Sequence, residues 1–131
     1  GGGLNLTLRD LARFGELMRL QGRWNGQQIV PRAVVDHIRR GGDRTLFAGA
    51  GYKTLPGWSY RNMWWVSHNE HGAFTARGIH GQGIYIDPAA DMVIVRFASH
   101  PLAANASLDP MSLPAYDALA RHLLADKGSR K

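Results

Sequence analysis

The segment GAFTARGIHGQGIYIDPAADMVIVRF, residues 72–97, decides the fold of this chain. Its aromatic, aliphatic and β-branched residues predict three strands: one that ends near Arg77, one over Gln82–Ile86 and one over Met92–Phe97, with a turn at Asp87–Asp91. Glycines stand at positions 72, 78, 81 and 83. Glycine weakens a strand unless the backbone bulges there or another group approaches it closely. The segment therefore predicts more than a structural hairpin.

Two helices are predicted before these strands. Thr7 is a good N-cap, and apolar residues then recur at helical spacing until Gly22. Asn25-Gly26 predicts a tight turn. A second helix should begin at Pro31 and end near Arg40, because proline suits the first helical position.

The remaining segments complete the predicted order of elements. Residues 43–57 are expected to be irregular, and Trp58–His68 is expected to form one strand, in which Trp64 and Trp65 point to opposite faces. A last helix is predicted over Leu113–Ala125, with one apolar stripe. The stripe comprises Tyr116, Leu119, Ala120, Leu123 and Leu124. The sequence thus predicts an α+β fold, an α/β sandwich in which helices flank an antiparallel sheet.

Composition limits the class of protein. The 131 residues are 44% hydrophobic and 20% charged, which is typical of a soluble globular protein. No apolar run is long enough for a transmembrane helix, so we expect no membrane partner. Cysteine is absent, which excludes disulfides, thiolate zinc sites and a cysteine nucleophile. A cytoplasmic location is expected, and a periplasmic one is compatible with the sequence.

The formal net charge of +6 raises the question of nucleic-acid binding. The arginines are scattered, however, and several stand beside acidic residues. Only residues 127–131 form a basic cluster, on a short tail with glycine and serine. We therefore expect solvated helix faces and no nucleic-acid partner.

Other groups of candidate metal-binding or catalytic residues give weaker indications of function. His68 and His71 are three residues apart on a predicted turn, whereas the helical zinc motif needs histidines four apart, so no metal site is predicted. No G-x-S-x-G elbow and no Ser-x-x-Lys occurs in the chain. Tyr60-Arg61-Asn62 matches the short Tyr-x-Asn pattern of active-serine penicillin-recognising enzymes, but it lies inside a predicted strand and is interpreted as a coincidence.

The residues around Gly78 leave two interpretations open. A backbone that is free of side chains can supply an N–H group to a developing oxyanion, and Gly78 would clear the space beside the N–H of Ile79. The other interpretation is a bulged edge strand with no chemistry.

Two segments resemble the serine β-lactamase and DD-peptidase-like hydrolases. GGGLNLTLRDLARFGELM is similar to the segment that follows their first two active-site motifs, and GIHGQGIYIDPAADMVIV to their third motif and the strand pair after it. The stretch LPGWSYRNMWWVSHNEHGAFTARGIHGQGIYIDPAADMVIVRFASHP more closely resembles the 6-aminohexanoate-dimer hydrolases, the members that degrade nylon oligomers. The resemblance covers Gly1 to about Ala125 and implies the C-terminal portion of the β-lactamase/transpeptidase-like fold.

The resemblance assigns roles to four residues. It places the family's Lys-Thr-Gly or His-Thr-Gly triplet on Ala76-Arg77-Gly78, of which only the glycine is kept. It places the oxyanion-hole N–H on Ile79 and favours Trp65 as the tryptophan near the substrate, with core packing of both tryptophans as the alternative. Arg77, inside the triplet, is expected to bind substrate. His80 is expected to be a neighbour of the site, not a catalyst. Because the lysine and threonine that help hold a substrate carboxylate are missing, a neutral or differently anchored amide or ester is expected to fit better than a β-lactam.

The same resemblance implies that part of the machinery lies elsewhere. The family's serine nucleophile, its lysine three residues later and its proton-shuttling tyrosine have no match here. We therefore expect an upstream segment to supply them, and we expect residues 1–126 to be the C-terminal portion of a hydrolase domain, with 127–131 as a basic tail. This chain alone should be inactive. No cofactor is expected, and a homodimer is one of the states left open.

Three functions follow as hypotheses. The first is a serine hydrolase that cleaves small linear amides, such as 6-aminohexanoate dimer, through an acyl-enzyme. The second is a carboxylesterase that acts on short-chain esters. The third is a non-catalytic binding domain on the same scaffold.

Overall fold

The structure is a computed structural model, and it describes residues 5–129. Residues 1–4, with which the resemblance begins, and the last two residues of the predicted basic tail lie outside that range. The elements in chain order are α1 (Leu8–Arg19), β1 (Arg23–Trp24), β2 (Gln27–Gln28), α2 (Arg32–Arg40), α3 (Arg44–Gly49), β3 (Ser59–Arg61), β4 (Trp64–Val66), β5 (Phe74–Arg77), β6 (Gly83–Asp87), β7 (Met92–Arg96) and α4 (Asp109–Ser129).

The main sheet is a meander of five antiparallel strands in the order β3-β4-β5-β6-β7. Thr75 pairs with Trp65 on one side and with Tyr85 on the other, so these three side chains share a face. Helices lie on both faces, and the α+β fold with a flanked antiparallel sheet is confirmed.

One face of the sheet packs against α1 and α2. Its core contains Trp64, Val66, Phe74, Ile84 and Ile86 from the strands, with Met18, Val35 and Ile38 from the helices. Gly15 lets α1 approach closely, because a Cβ there would lie 2.6 Å from Cγ1 of Val93. The other face packs against α4, where Tyr85 and Met92 contact the stripe around Ala120. The predicted stripe is correct except for Leu119, which is exposed.

Several local predictions are confirmed. The side chain of Thr7 accepts the N–H of Asp10 at 3.1 Å and caps α1. Asn25 and Gly26 form the turn of the β1–β2 hairpin, and both have positive φ. Pro31 directly precedes α2, which ends at Arg40 as predicted.

Two segments before the central strands differ from the predictions. Residues 43–57 are not wholly irregular, because Asp43 caps α3 by accepting the N–H groups of Thr45 and Leu46. Trp58–His68 is not one strand but the β3–β4 hairpin. Its two-residue turn is Asn62-Met63, where both residues have positive φ. Because Met63 stands where such turns usually have glycine, the sequence pattern does not indicate a turn here.

The last helix is longer than predicted. It begins at Asp109, with Pro110 in its first turn, and continues to Ser129 through the proposed boundary at residue 126. Lys127 is part of this helix and forms an ion pair with Asp91 in the β6–β7 turn. No helix within residues 5–129 is both long enough and apolar enough to cross a bilayer.

A serine–histidine contact fastens the loop after α2 to the sheet. The hydroxyl of Ser59 lies 2.6 Å from Nε2 of His68, and Ser59 also accepts the N–H of Gly42 at 3.0 Å. Because Ser59 is completely buried, its hydroxyl is inaccessible to a substrate. Burial lowers the pKa of His68, and the charge of Arg44 lowers it further. The neutral ring can thus accept a hydrogen bond from the Ser59 hydroxyl.

We expect this contact to make stability depend on pH. Since the folded-state pKa of His68 is below its ordinary value of about 6.5, the unfolded chain binds a proton first as the pH falls, and stability is lost below that value. Replacing His68→Gln removes the titration but keeps an acceptor. The free energy of unfolding, measured with urea between about pH 5 and 7.5, should depend less steeply on pH in H68Q than in the wild type. Equal slopes for the two proteins would contradict this.

Candidate functional site

The structure brings the four predicted site residues to one place. Trp65 in β4, Arg77 at the end of β5, Gly78 and Ile79 all line an open depression of about 420 Å³. Its other walls are residues 51–54, residues 103–106 and Asp109. We call this cavity the Ile79 depression. It lies on the α4 side of the sheet, at the end of β5.

The turn from Gly78 to Gly81 is braced by Asn105. The side-chain amide of Asn105 donates to the carbonyl of Gly78 at 2.8 Å, and its oxygen accepts the N–H of Gly81 at 3.1 Å. Ile79–Gly81 forms a short 3-10 turn. Among the described residues, no hydrogen bond uses the N–H of Ile79. Ile79 is 62% exposed. An acceptor bound in the depression could therefore receive this donor.

The absence of a side chain at Gly78 also has a reason within the chain. A Cβ there would lie 3.1 Å from Cβ of Gln82, which is tighter than ordinary contact. The Gly78 N–H meanwhile donates to the Gln82 carbonyl at 2.8 Å. Tight closure of this turn already favours glycine, whatever approaches from outside.

The two adjacent tryptophans point to opposite faces, as predicted. Trp64 is buried in the core against Phe74, with ring centroids 5.1 Å apart. Trp65 faces the Ile79 depression and contacts Tyr60 and Tyr52 edge-on, with centroid distances of 4.7 and 6.4 Å. Its Nε1 is buried and has no hydrogen-bond partner in the described part of the chain. Trp65 thus forms an aromatic wall of the depression.

Arg77 is held by an acidic partner that the sequence did not reveal. Its Nη2 lies 2.6 Å from Oδ1 of Asp109, and the hydroxyl of Thr54 donates to Oδ2 of the same carboxylate at 2.5 Å. The guanidinium also lies 6.0 Å from the centroid of the Trp65 ring. Arg77 therefore enters the site as one half of an ion pair.

The histidines lie outside this cluster of contacts. His80 adopts a positive φ of 57°, and its Nδ1 lies 2.7 Å from the carbonyl of His100. His71 directs its Nδ1 at the buried carboxylate of Asp87, 2.8 Å away, while His68 contacts Ser59. Within residues 5–129 there is no cluster of three or more His, Asp or Glu side chains suited to a metal.

A second depression borders the same turn from the α1 side of the sheet. It measures about 520 Å³ and also includes Arg77 and Gly78. Most of its lining is aliphatic or aromatic and includes Leu6, Leu11, Met63, Ala76, Ile84 and Phe97. Gly78 thus stands between the two depressions.

Comparison with known proteins gives two informative matches. No family model matches the chain. A 6-aminohexanoate-dimer hydrolase of Paenarthrobacter ureafaciens is 39% identical over 101 residues, which are 76% of this chain and 26% of that protein. A solved structure from Bacillus anthracis, provisionally described as a 6-aminohexanoate-dimer hydrolase, superimposes with a TM-score of 0.78 at 42% identity.

The matches include most of this chain but only a small part of each relative. The structural match includes 92% of this chain but 30% of the Bacillus anthracis chain. This chain therefore spans less than a third of the length of either relative. Over most of its own length, the resemblance expected from the sequence is confirmed.

Proposed function

Because the chain is similar to two proteins described as 6-aminohexanoate-dimer hydrolases, we propose that it forms part of a serine hydrolase. Its substrates would be small linear amides such as 6-aminohexanoate dimer. The observation that carries this proposal is the assembly of Trp65, Arg77, Gly78 and Ile79 around one depression. These are the four residues to which the sequence resemblance assigns site roles.

In the proposed reaction, a serine oxygen attacks the carbonyl carbon of the amide, and the carbonyl π electrons move to its oxygen. The Ile79 N–H donates a hydrogen bond to that oxyanion. A base takes the serine proton and returns it to the departing nitrogen, which leaves as an amine. Water then cleaves the resulting ester by the same sequence of steps and regenerates the serine.

In this proposal the nucleophile comes from a segment outside these 131 residues, since the chain contains no Ser-x-x-Lys. That segment would also carry the proton-shuttling tyrosine. Its serine must lie close to the carbon whose oxygen accepts the Ile79 N–H, and therefore beside Gly78. The apolar depression on the α1 side borders Gly78 and offers a nonpolar surface against which such a segment could pack.

Turnover assays on the full-length protein test this proposal. We expect hydrolysis of 6-aminohexanoate dimer, measured by release of the monomer, and no hydrolysis by the 131-residue chain alone. Short-chain p-nitrophenyl esters separate an amidase from a carboxylesterase. Turnover of esters without turnover of the dimer would reject the amide assignment, and a full-length sequence without Ser-x-x-Lys would reject the serine hydrolase.

A further inference from the structure

We propose that Asp109 determines the charge preference of the Ile79 depression. By neutralising Arg77, it makes the depression take the uncharged part of a substrate, an alkyl chain or an amide, and not a carboxylate. The inference relies on the proposed function for the identity of the substrate, but the charge balance itself follows from the described residues.

Both oxygens of Asp109 already accept hydrogen bonds inside the protein. Oδ1 accepts from Nη2 of Arg77, and Oδ2 accepts from the hydroxyl of Thr54. The Asp109 side chain is 7% exposed and that of Arg77 is 13% exposed. Water is therefore nearly excluded from the pair, and the attraction between the two charges is only weakly screened. Arg77 cannot turn to another anion without leaving Asp109 buried and unpaired.

The remaining charges of the depression do not alter this balance. Its charged lining residues are Lys53, Arg77 and Asp109. Lys53 is exposed on the loop before β3, so water and salt screen its charge. The buried part of the depression is therefore electrically neutral, although an arginine lies in it.

This arrangement explains how an arginine can stand beside a proposed amide-binding site. An unpaired guanidinium would be a strong carboxylate ligand, because it presents two parallel N–H groups to the two oxygens. Here one nitrogen is occupied by Asp109. A second nitrogen, Nη1, is buried without a partner among the described residues. What remains towards the depression is an aromatic wall at Trp65 and a neutral ion pair.

The test is to remove the negative charge of Asp109 while preserving its shape. Asp109→Asn in the full-length protein keeps an oxygen acceptor for Arg77 or Thr54 but leaves the guanidinium uncompensated. We would measure the Kd of hexanoate and of hexanamide by isothermal titration calorimetry. The ratio of the two Kd values should shift towards hexanoate by about tenfold or more, which corresponds to about 1.4 kcal/mol.

A matched control lies on the same helix. Asp117→Asn also removes one negative charge from α4, but Asp117 pairs with Arg121 on the surface. Its Kd ratio should remain that of the wild type. The double variant Arg77→Gln/Asp109→Asn removes both charges and should also return to the wild-type ratio.

A second single variant covers the case in which D109N does not fold. Arg77→Gln leaves the negative charge, so it should weaken hexanoate relative to hexanamide. A wild-type ratio in a folded D109N or a folded R77Q protein would overturn the inference. If the ratios shift as expected but the wild type hydrolyses neither amides nor esters, the charge assignment stands and the proposed function fails.

Discussion

Replacing Ile79→Pro in the full-length protein is expected to lower kcat/KM for amide hydrolysis by about 10²–10³-fold, the usual effect of removing one oxyanion donor. Proline lacks the N–H group that we assign to the oxyanion hole. The local backbone can accept it, because Gly78 is extended with ψ of 171°, as a residue before proline should be. No described hydrogen bond uses the Ile79 N–H, so the substitution removes none.

The control is Ile79→Ala, which keeps the N–H and shortens a side chain that is largely exposed. It should retain nearly normal activity. Thermal unfolding of both variants would show whether the turn survives. Near-normal turnover by a folded I79P protein would mean that the oxyanion donor lies elsewhere.

Replacing His71→Ala is expected to lower the free energy of unfolding by about 3–5 kcal/mol. The ring of His71 donates its Nδ1–H to Oδ2 of Asp87 at 2.8 Å, and Asp87 is completely inaccessible to water. Without the imidazole, the carboxylate keeps the N–H of Ala90 on its other oxygen and has no side-chain donor. A buried charge with incomplete hydrogen bonding destabilises the folded state.

Urea unfolding followed by tryptophan fluorescence measures this loss. His122→Ala, an exposed position on α4, should change the free energy of unfolding by no more than about 0.5 kcal/mol. Adding Asp87→Asn to His71→Ala should recover part of the loss, because the amide is uncharged and can still accept from Ala90. A loss below about 1 kcal/mol in the single variant would contradict a tightly coupled pair.

The wrong local predictions share a cause. Asp43 adopts the conformation of a helix cap, and Asn62 and Met63 adopt left-handed conformations. Their residue types permit these conformations but do not require them. The Asp43 cap forms because Phe47 of α3 becomes buried. The left-handed turn at Asn62-Met63 forms because Trp64, the next residue, becomes buried. Burial depends on which surfaces meet, and local periodicity contains no information about that.

The sequence by itself determined α1, α2, the three strands within residues 72–97 and the presence of a last helix. It also determined the opposite directions of Trp64 and Trp65 and the segment in which Ile79 lies. Each of these follows from spacing over a few residues, which the backbone geometry of helices and strands fixes. Only the tertiary structure decided that Arg77 is neutralised by Asp109 and that Asn105 braces the Gly78 turn. Those partners are 32 and 27 residues apart in the chain. They meet because α4 and the segment before it pack over the end of β5, and side chains so brought together set the charge of the site.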